Sequence, residues 1–253
     1  MVTFKNMGRL GNFLFQAATA YAYAQKHGLD FAVPSTTNDP YWNPLYLQNL
    51  AKKLPKLRNY DIIEKQHQYK PLPFFEHYRD HNITLQGYFQ SEKYFKDVDI
   101  IKLFNYPWNP HNNVSIHVRR GDYLKYPHKH PVVPDRFYID AIHHFYHLGF
   151  TDFYVYSDDR PYVINYFSNS VLFSGCKFHF PQYTYGKTVE ENDLMGIANC
   201  AGGHINSSST FAWWGAWLNQ NPNKIIITPK LWFVPGHGGL NTDDIIPESW
   251  MKM

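Results

Sequence analysis

The tetrapeptide Arg119-Arg120-Gly121-Asp122 places two guanidinium groups and a carboxylate directly after the apolar run at residues 114–118. Arginine is permanently charged and forms paired hydrogen bonds to phosphate oxygens, and a glycine lets the backbone approach a ligand closely. The same residues also fit a solvated arginine pair or an ordinary salt bridge to Asp122. The segment therefore predicts either an anion site or a purely structural ion pair.

A second candidate anion site consists of the hydroxyl residues Ser208, Ser209 and Thr210, which precede the apolar stretch FAWWGAWLN. Backbone N–H groups at a helix start lack intrahelical partners, and the helix dipole is positive there, so anions bind well. A serine at such a position also caps a helix without any ligand. The three residues thus indicate a phosphate site or a plain N-cap.

Two further polar groups follow apolar runs. Asp158 and Asp159 come after FYVYS and can accept hydrogen bonds from a nucleobase edge or a ribose hydroxyl, although surface acidic pairs are common. The glycine turn at residues 8–12 follows the first apolar run. It lacks both the G-x-G-x-x-G dinucleotide pattern and the P-loop lysine, so it is weak evidence for a cofactor.

The elements that position these residues alternate regularly in the second half of the chain. Short β-rich runs take turns with helix-like stretches, which predicts a parallel sheet with right-handed crossovers of the Rossmann-like class. The predicted strands are 114–118, 153–157, 177–180, 204–207 and 225–228, and the predicted helices are 135–147, a short one after Pro161, 190–199 and 210–219. Ligands of such sheets bind beyond the carboxyl ends of the strands, where His117 and the groups above lie.

The first half opens in a similar way, with a strand, a glycine turn, a helix that ends near Gly28 and a second strand. Residues 34–80 are rich in proline, asparagine and aromatic residues, so we expect loops and short helices there, followed by a strand at 84–89. We predict an acceptor-side α/β domain at residues 1–110 and a nucleotide-binding domain at 111–253. Two Rossmann-like domains of this kind would face each other across a cleft.

Composition and charge exclude several classes of protein. No window approaches the roughly 20 apolar residues of a membrane helix, and the N-terminal residues lack the apolar core of a signal peptide. We therefore expect a soluble, cytoplasmic protein. The net charge of +3 comes from scattered basic residues, which does not favour nucleic acid as a partner. An aromatic content of 18% suits sugar binding as well as it suits a core.

Metal and redox chemistry are not predicted. The two cysteines, Cys176 and Cys200, read as ordinary thiols. Asp97-Val98-Asp99 has the Asp-x-Asp form that binds manganese in some sugar transferases, but so short a match arises often by chance. The histidine clusters lack the spacing or the glutamate of a zinc site. We expect no metal and no cofactor.

The sequence resembles the α-1,2-fucosyltransferases of glycosyltransferase family 11. The motifs GRLGNFLFQAATAYA, SIHVRRGDY, FYVYSDD and DLMGIANCAGGHINSSSTFAWWGAWLN occur in the order typical of that family and span about residues 3–233. The resemblance implies a two-domain GT-B-like fold and an inverting, metal-independent transfer of fucose. GDP-fucose would be the donor, and the 2-OH of a terminal galactose on a glycan would be the acceptor.

The resemblance also implies roles for individual residues. Arg119 would contact the donor diphosphate, with Arg120 supporting the loop or sharing that contact, and Ser208, Ser209 and Thr210 would hold phosphates at the helix start. His117 and Asp158 or Asp159 would lie near the guanosine, Gly11 would belong to the donor-binding residues, and Asn12 to the acceptor side. Asp122, Asp159, a histidine or water could receive the acceptor proton, and we favour Asp122.

Two departures from the family pattern stand out. The chain has Phe13 where Gly-Gly-x-Gly-Asn-Gln ends in an amide, and it has Ser208 where an asparagine opens the motif before the tryptophan pair. Two alternatives stay open: a transferase for another nucleotide sugar, and a carbohydrate-binding protein without catalysis. Tyr41 and Trp42 are predicted to shape the acceptor side. The oligomeric state is not predictable from the sequence.

Overall fold

The computed structural model describes residues 1–34, 58–64, 68–104, 108–182, 189–236 and 240–253. The chain divides into two compact units, one formed by Met1–Pro107 with Gly239–Pro247 and the other by Trp108–Gly238 with Glu248–Met253. Each unit contains one parallel sheet with helices packed against it. The predicted α/β class with parallel, Rossmann-like sheets is confirmed.

The first unit contains a three-stranded sheet of order β1-β3-β2, with strands β1 (Val2–Phe4), β2 (Arg58–Ile63) and β3 (His81–Gln86). Helix α1 (Leu10–His27) follows β1 and is buried along most of its length because alanine and aromatic residues line it. It ends at Gly28, whose φ of 62° is left-handed and favours glycine.

Three predictions for this unit are wrong in detail. The strand expected after α1 is reduced to a bridge between Phe31 and Val2, since Pro34 soon follows and cannot donate to a ladder. Strand β2 lies where we expected only loops and short helices. It is an edge strand in which Ile62 is buried whereas Tyr60 and Ile63 are exposed, so it lacks a clear apolar alternation. Strand β3 lies three residues earlier than predicted because Gly87, with a φ of 157°, follows its end.

The second unit contains a six-stranded, all-parallel sheet of order β6-β5-β4-β7-β8-β9. The predicted alternation of strands and helices is confirmed, and the short β9 is the one strand of the described part of this unit that was not predicted. The strands are β4 (Val114–Val118), β5 (Asp152–Ser157), β6 (Lys177–His179), β7 (Gly203–Ile205), β8 (Ile225–Thr228) and β9 (Met251–Lys252), and the helices are α2 (Asp135–His147), α3 (Arg160–Asn169), α4 (Val189–Asn199) and α5 (Thr210–Leu218).

The chain path through the second sheet reverses between β4 and β7. From β4 the chain adds β5 and β6 on one side, and it then adds β7, β8 and β9 on the other side. At such a reversal the following connections run to opposite sides, which leaves a crevice at the carboxyl ends of the two central strands. The crevice between β4 and β7 is therefore where the fold itself predicts a ligand.

None of the helices that the structure describes combines the length and the apolar character that a membrane span requires.

Candidate functional site

Three of the four polar groups singled out in the sequence lie at the carboxyl edge of the second sheet. Residues 119–122 follow β4, Asp158 and Asp159 follow β5, and Ser208 to Thr210 connect β7 to α5. Two hydrogen bonds link these segments. His117 Nδ1 and Ser207 Oγ are 2.7 Å apart, and the Tyr123 hydroxyl donates to the Ser208 carbonyl over 2.8 Å. The segments after β4 and β7 thus meet at the crevice.

Arg119 lies between two carboxylates. Its Nη2 donates to Asp122 Oδ1 at 2.5 Å, its Nη1 lies 2.9 Å from Asp158 Oδ2, and its guanidinium is 5.4 Å from the centre of the Tyr123 ring. The side chain is 16% exposed. The salt bridge to Asp122 that the sequence allowed is therefore present. The role of Arg119 toward a phosphate stays a prediction, and the ion pairs hold its guanidinium at the mouth of the crevice.

Arg120 points in a different direction. Its Nε lies 3.2 Å from Asp159 Oδ2, and its guanidinium carbon lies 3.5 Å from the centre of the Tyr162 ring. Stacking on an aromatic face with a carboxylate beside it is a stable position for arginine. This geometry favours the supporting role for Arg120, in which it ties residues 119–122 to α3.

Asp158 and Asp159 each bind the loop that follows β4. Asp158 Oδ1 accepts the backbone N–H of Arg120 at 3.0 Å, and Asp159 accepts the Tyr162 N–H at 3.3 Å as the N-cap of α3. Two arginines face three aspartates, so the cluster has no net positive charge. An incoming diphosphate would have to replace a carboxylate at Arg119 or bind mainly to the start of α5.

The space around position 121 admits only a glycine. A Cβ at this position would overlap the Oδ2 atom of Asp158. The close approach lets the backbone N–H of Arg120 reach Asp158 while Asp158 also contacts Arg119. The sequence suggested a glycine for closeness to a ligand, whereas the structure shows closeness to a carboxylate.

The start of α5 contains hydroxyl groups in three different settings. Ser208 is buried, and its hydroxyl donates to the Leu231 carbonyl at 2.7 Å, which is a structural bond. Ser209 occupies the N-cap position, yet its side chain makes no capping hydrogen bond. Thr210 is partly exposed at the first helical position. The side chain of Ser209 therefore does not cap the helix, although the alternative interpretation of the motif predicts that it does.

Sequence reasoning missed three residues that shape this edge of the sheet. Tyr123 and Tyr162 support the two arginines, and Asn206 is buried after β7 with neither side-chain oxygen nor nitrogen partnered among the described residues. A lone tyrosine or asparagine has no distinguishing pattern in a chain rich in both. Only the position of Asn206 next to the hydroxyl motif could have drawn attention to it.

His117 is buried at the end of β4 and is neutral at physiological pH. Burial, and to a smaller extent the charge of Arg119, lowers its pKa to about 3. So weak a base is a poor acceptor for a hydroxyl proton. His117 instead has a structural role. It forms a hydrogen bond with Ser207, and its ring lies 5.6 Å from that of Phe211, so it connects β4 to the start of α5.

Acidification is expected to destabilise the fold through His117 and His204. Burial, followed by the charge of Lys224, also lowers the pKa of His204 well below its ordinary value. An unfolded histidine titrates near pH 6.5. Below that pH the unfolded chain binds more protons, so the stabilisation is present above pH 6.5 and is lost as the pH falls.

The measurement is urea unfolding at pH 7.5, 6.0 and 5.0 for the wild type and for His117→Asn, which cannot titrate. We expect each histidine to contribute up to about 1.4 kcal/mol per pH unit below pH 6. The free energy of unfolding of His117→Asn should therefore depend less on pH than that of the wild type. If the free energy of unfolding changed equally with pH in the two proteins, His117 would not be neutral and buried in the folded state.

Gly11 and Asn12 belong to the first unit. Helix α1 already begins at Leu10, so both lie in its first turn, and only Gly8, with a φ of 81°, and Arg9 form the preceding turn. Gly11 is buried, which makes its assigned contact with a donor a prediction without geometric support. Asn12 Oδ1 accepts a hydrogen bond from Gln90 Nε2 at 2.8 Å.

No cluster of three or more His, Cys, Asp or Glu side chains that could bind a metal occurs in the described ranges. Asp97 and Asp99 are exposed, and Asp99 forms an ion pair with Lys102 at 3.1 Å. The predicted acceptor residues Tyr41 and Trp42 lie outside the described residues.

Comparison with known protein families shows to which family the chain belongs. The model of glycosyl transferase family 11 matches residues 1–250, almost the whole chain. The chain belongs to glycosyl transferase family 11. This membership confirms the resemblance on which the expected roles of the arginine and hydroxyl motifs depend.

Characterised relatives of this family 11 chain include three transferases. The Escherichia coli O-antigen biosynthesis glycosyltransferase WbnK is 32% identical over 150 residues, and an E. coli alpha-1,2-colitosyltransferase is 34% identical over 146. The rabbit (Oryctolagus cuniculus) galactoside alpha-(1,2)-fucosyltransferase 2 is 29% identical over 166 residues. The matches cover 56%, 56% and 55% of this chain and 45%, 48% and 46% of the relatives. Each match thus spans about half the length of the relative.

Proposed function

We propose that this chain is an inverting galactoside α-1,2-fucosyltransferase. It would transfer fucose from GDP-fucose to the 2-OH of a terminal galactose on a glycan, without a metal ion and with a GT-B arrangement of two domains. The observation that carries the proposal is the crevice between β4 and β7, where Arg119 and the start of α5 lie in a family 11 chain. A neutral glycan alone would need neither an arginine nor a helix start.

Charge development explains how these groups would act. When the bond between fucose and phosphate breaks, negative charge grows on the leaving diphosphate. Arg119 and the backbone N–H groups of the first turn of α5, which lack intrahelical acceptors, are fixed donors at that place, and such donors usually supply the largest catalytic contribution. Their positions are set in advance by Asp122, Asp158 and the hydrogen bond between His117 and Ser207.

The acceptor hydroxyl must attack from the face opposite the leaving group and lose a proton. Asp122 is the group we propose to receive it, because its carboxylate is 35% exposed beside Arg119 whereas His117 is too weak a base. Asp159 is less suitable because it caps α3 and pairs with Arg120.

Transfer of colitose is the second candidate, since the relative that shares 34% identity over 146 residues is an alpha-1,2-colitosyltransferase. Both candidates share the architecture and the α-1,2 linkage in the names of the relatives. They differ in the sugar of the donor. Of the relatives' names, that of the rabbit enzyme specifies the acceptor, which is a galactoside.

Thermal unfolding in the presence of nucleotides tests the donor. GDP, UDP, CDP and GDP-fucose are added separately, each with and without a chelator. A nucleotide at a hundred times its Kd should stabilise the fold by about 2.7 kcal/mol, or several degrees. Stabilisation by GDP and GDP-fucose alone, unchanged by chelator, supports the proposal. Stabilisation by UDP, or only with metal, would overturn the donor and the mechanism, and no shift at all would favour a carbohydrate-binding protein.

A further inference from the structure

A cavity of about 380 Å³ lies in the first unit. This volume is within the range of small-molecule binding sites. Its walls are residues 60–64, most of residues 68–75, and the side chains of Tyr78 and Tyr94. None of the sequence motifs that resemble the family includes a residue of this cavity. The family relationship therefore assigns no ligand to it.

The cavity runs along the outer edge of β2. Five consecutive residues, 60–64, line it, whereas no residue of β3, the strand that pairs with β2, does so. Since β2 is the last strand in its sheet, no described strand occupies its outer edge. Pro71 and Pro73 in the opposite wall lack N–H groups, so that wall cannot close onto β2 as a regular strand. Backbone N–H and C=O groups along the edge are therefore available to a ligand.

The wall formed by residues 68–75 is held in place by other parts of the first unit. The hydroxyl of Tyr23 on α1 donates to the Pro73 carbonyl at 2.7 Å. The backbone N–H of Tyr69 donates to Asp244 Oδ2 at 3.3 Å. Because these partners come from two separate segments of the unit, the wall keeps its position without a ligand.

Glu64 lines the cavity and is partly buried. Its Oε2 atom accepts the backbone N–H groups of Tyr88 and Phe89 at 2.7 and 2.8 Å. Phe89 has a left-handed φ of 50°, a strained conformation that persists only where its surroundings fix it. Burial outweighs the hydrogen bonds of Glu64 and raises the pKa of its carboxyl group. A further hydrogen-bond donor would therefore stabilise the charged carboxylate.

The hydrogen bonds around Tyr94 leave one acceptor without a donor. The Tyr94 hydroxyl lies 3.3 Å from both Glu64 Oε1 and the Gln68 carbonyl oxygen, and it accepts the Lys70 N–H at 3.3 Å. A phenol has one proton, so it can donate to only one of the two oxygens. Among the described residues, the other oxygen has no donor, although its residue lines the cavity. A hydroxyl group of a ligand would supply that donor.

Aromatic rings provide an apolar surface beside these oxygens. Tyr60 and Phe75 line the cavity and are 40% and 53% exposed. Both pack against the buried ring of Tyr78, with ring centres 4.5 and 5.3 Å apart, so their positions are fixed. A sugar ring has an apolar C–H surface and a rim of hydroxyl groups, and it therefore matches exposed rings next to unpaired oxygens.

The charges of the lining favour a neutral ligand. Among the described lining residues, the carboxylates of Asp61 and Glu64 outnumber the ammonium group of Lys70, so an anion would be repelled. We propose that the cavity binds a neutral sugar residue of the acceptor glycan, one that does not itself react. The reacting galactose has to contact the donor, and no described lining residue belongs to the unit that contains Arg119. This inference rests on the proposed transferase function.

Phe75→Ala and Glu64→Gln test the inference. Phe75→Ala removes an exposed ring, and Glu64→Gln keeps an oxygen for the two backbone N–H groups but replaces the other acceptor by an NH2 group. The KM for the neutral tetrasaccharide lacto-N-tetraose, which ends in galactose, should rise about fivefold in Phe75→Ala and about tenfold in Glu64→Gln. The KM for methyl β-galactoside, which has no further sugar, and the affinity for GDP should stay within twofold.

Tyr146→Ala is the matched control, since Tyr146 on α2 is 40% exposed and does not line the cavity. It should leave both KM values and the GDP affinity unchanged. A KM for the tetrasaccharide within twofold of the wild type in either cavity variant would overturn the inference. An equal rise in KM for methyl β-galactoside would also overturn it, because the variants would then act on the reacting galactose or on the fold.

A second readout needs no activity. Saturation-transfer difference NMR with lacto-N-tetraose shows which sugar residues contact the protein. Saturation of residues other than the terminal galactose, lost in Glu64→Gln, supports the cavity even if GDP fails to stabilise the fold and the transferase assignment falls. If GDP stabilises the fold and fucose is transferred, but both variants show the saturation of the wild type, the transferase proposal stands and the present inference is wrong. Absence of saturation in the wild type would overturn it as well.

Discussion

Arg119→Ala lowers kcat/KM for sugar transfer about 100- to 1,000-fold and weakens GDP binding at least tenfold, if the crevice between β4 and β7 holds the donor. Loss of one fixed donor at a site of developing charge has an effect of this size in other enzymes. Arg119→Lys should retain part of the affinity. It keeps the charge but loses the fork with which the guanidinium contacts Asp122 and Asp158.

The measurements are steady-state kinetics with GDP-fucose and calorimetric titration with GDP. Arg136→Ala is the matched control, because Arg136 is 80% exposed on α2 and its guanidinium pairs with Asp140 within the same helix. It should leave transfer and GDP binding unchanged. A GDP affinity of Arg119→Ala within twofold of the wild type would contradict the phosphate role and leave Arg119 as a structural partner of the aspartates.

Gly121→Ala is expected to weaken GDP binding roughly tenfold and to lower the free energy of unfolding by about 1–3 kcal/mol, the usual cost of overpacking. The added methyl group overlaps Asp158 Oδ2. Asp158 is short and held at both oxygens, by the N–H of Arg120 and by the guanidinium of Arg119. Its displacement would therefore shift Arg119 from the crevice.

A double-variant experiment isolates this cause. In an Asp158→Ala background the oxygen that meets the new methyl group is gone, so Gly121→Ala should then add little further loss of stability or of GDP affinity. Tm and GDP titrations on the four proteins provide the cycle. If Gly121→Ala has wild-type stability and GDP affinity, the contact with Asp158 is not what requires the glycine.

The second sheet was predictable because its signals are local. Buried parallel strands are short apolar runs, and the helices between them carry their own period, so β4, α2 and β8 have the predicted bounds. Strand β2 was not predictable, since an exposed edge strand carries no such run. The same distinction applies to the site, where charged motifs after strands were visible in the sequence.

The partners of those motifs were not visible. Tyr162 beneath Arg120 and Gln90 beside Asn12 come from segments that lie 42 and 78 residues further along the chain. Neither has a spacing that distinguishes it from other tyrosines or glutamines. Their roles depend on which strands become neighbours, and that is a property of the sheet order and not of any local pattern.

The division of the chain into two units has a consequence for the order of events during synthesis. The first unit includes the segment around Asp244, which pairs with Lys93 and accepts the N–H of Tyr69, and the fully buried Ile245. At 5–20 residues per second, a ribosome needs on the order of ten seconds to translate the stretch between the two parts of this unit. The N-terminal unit therefore acquires its last packing contacts only after residues Trp108–Gly238 of the second unit have been translated.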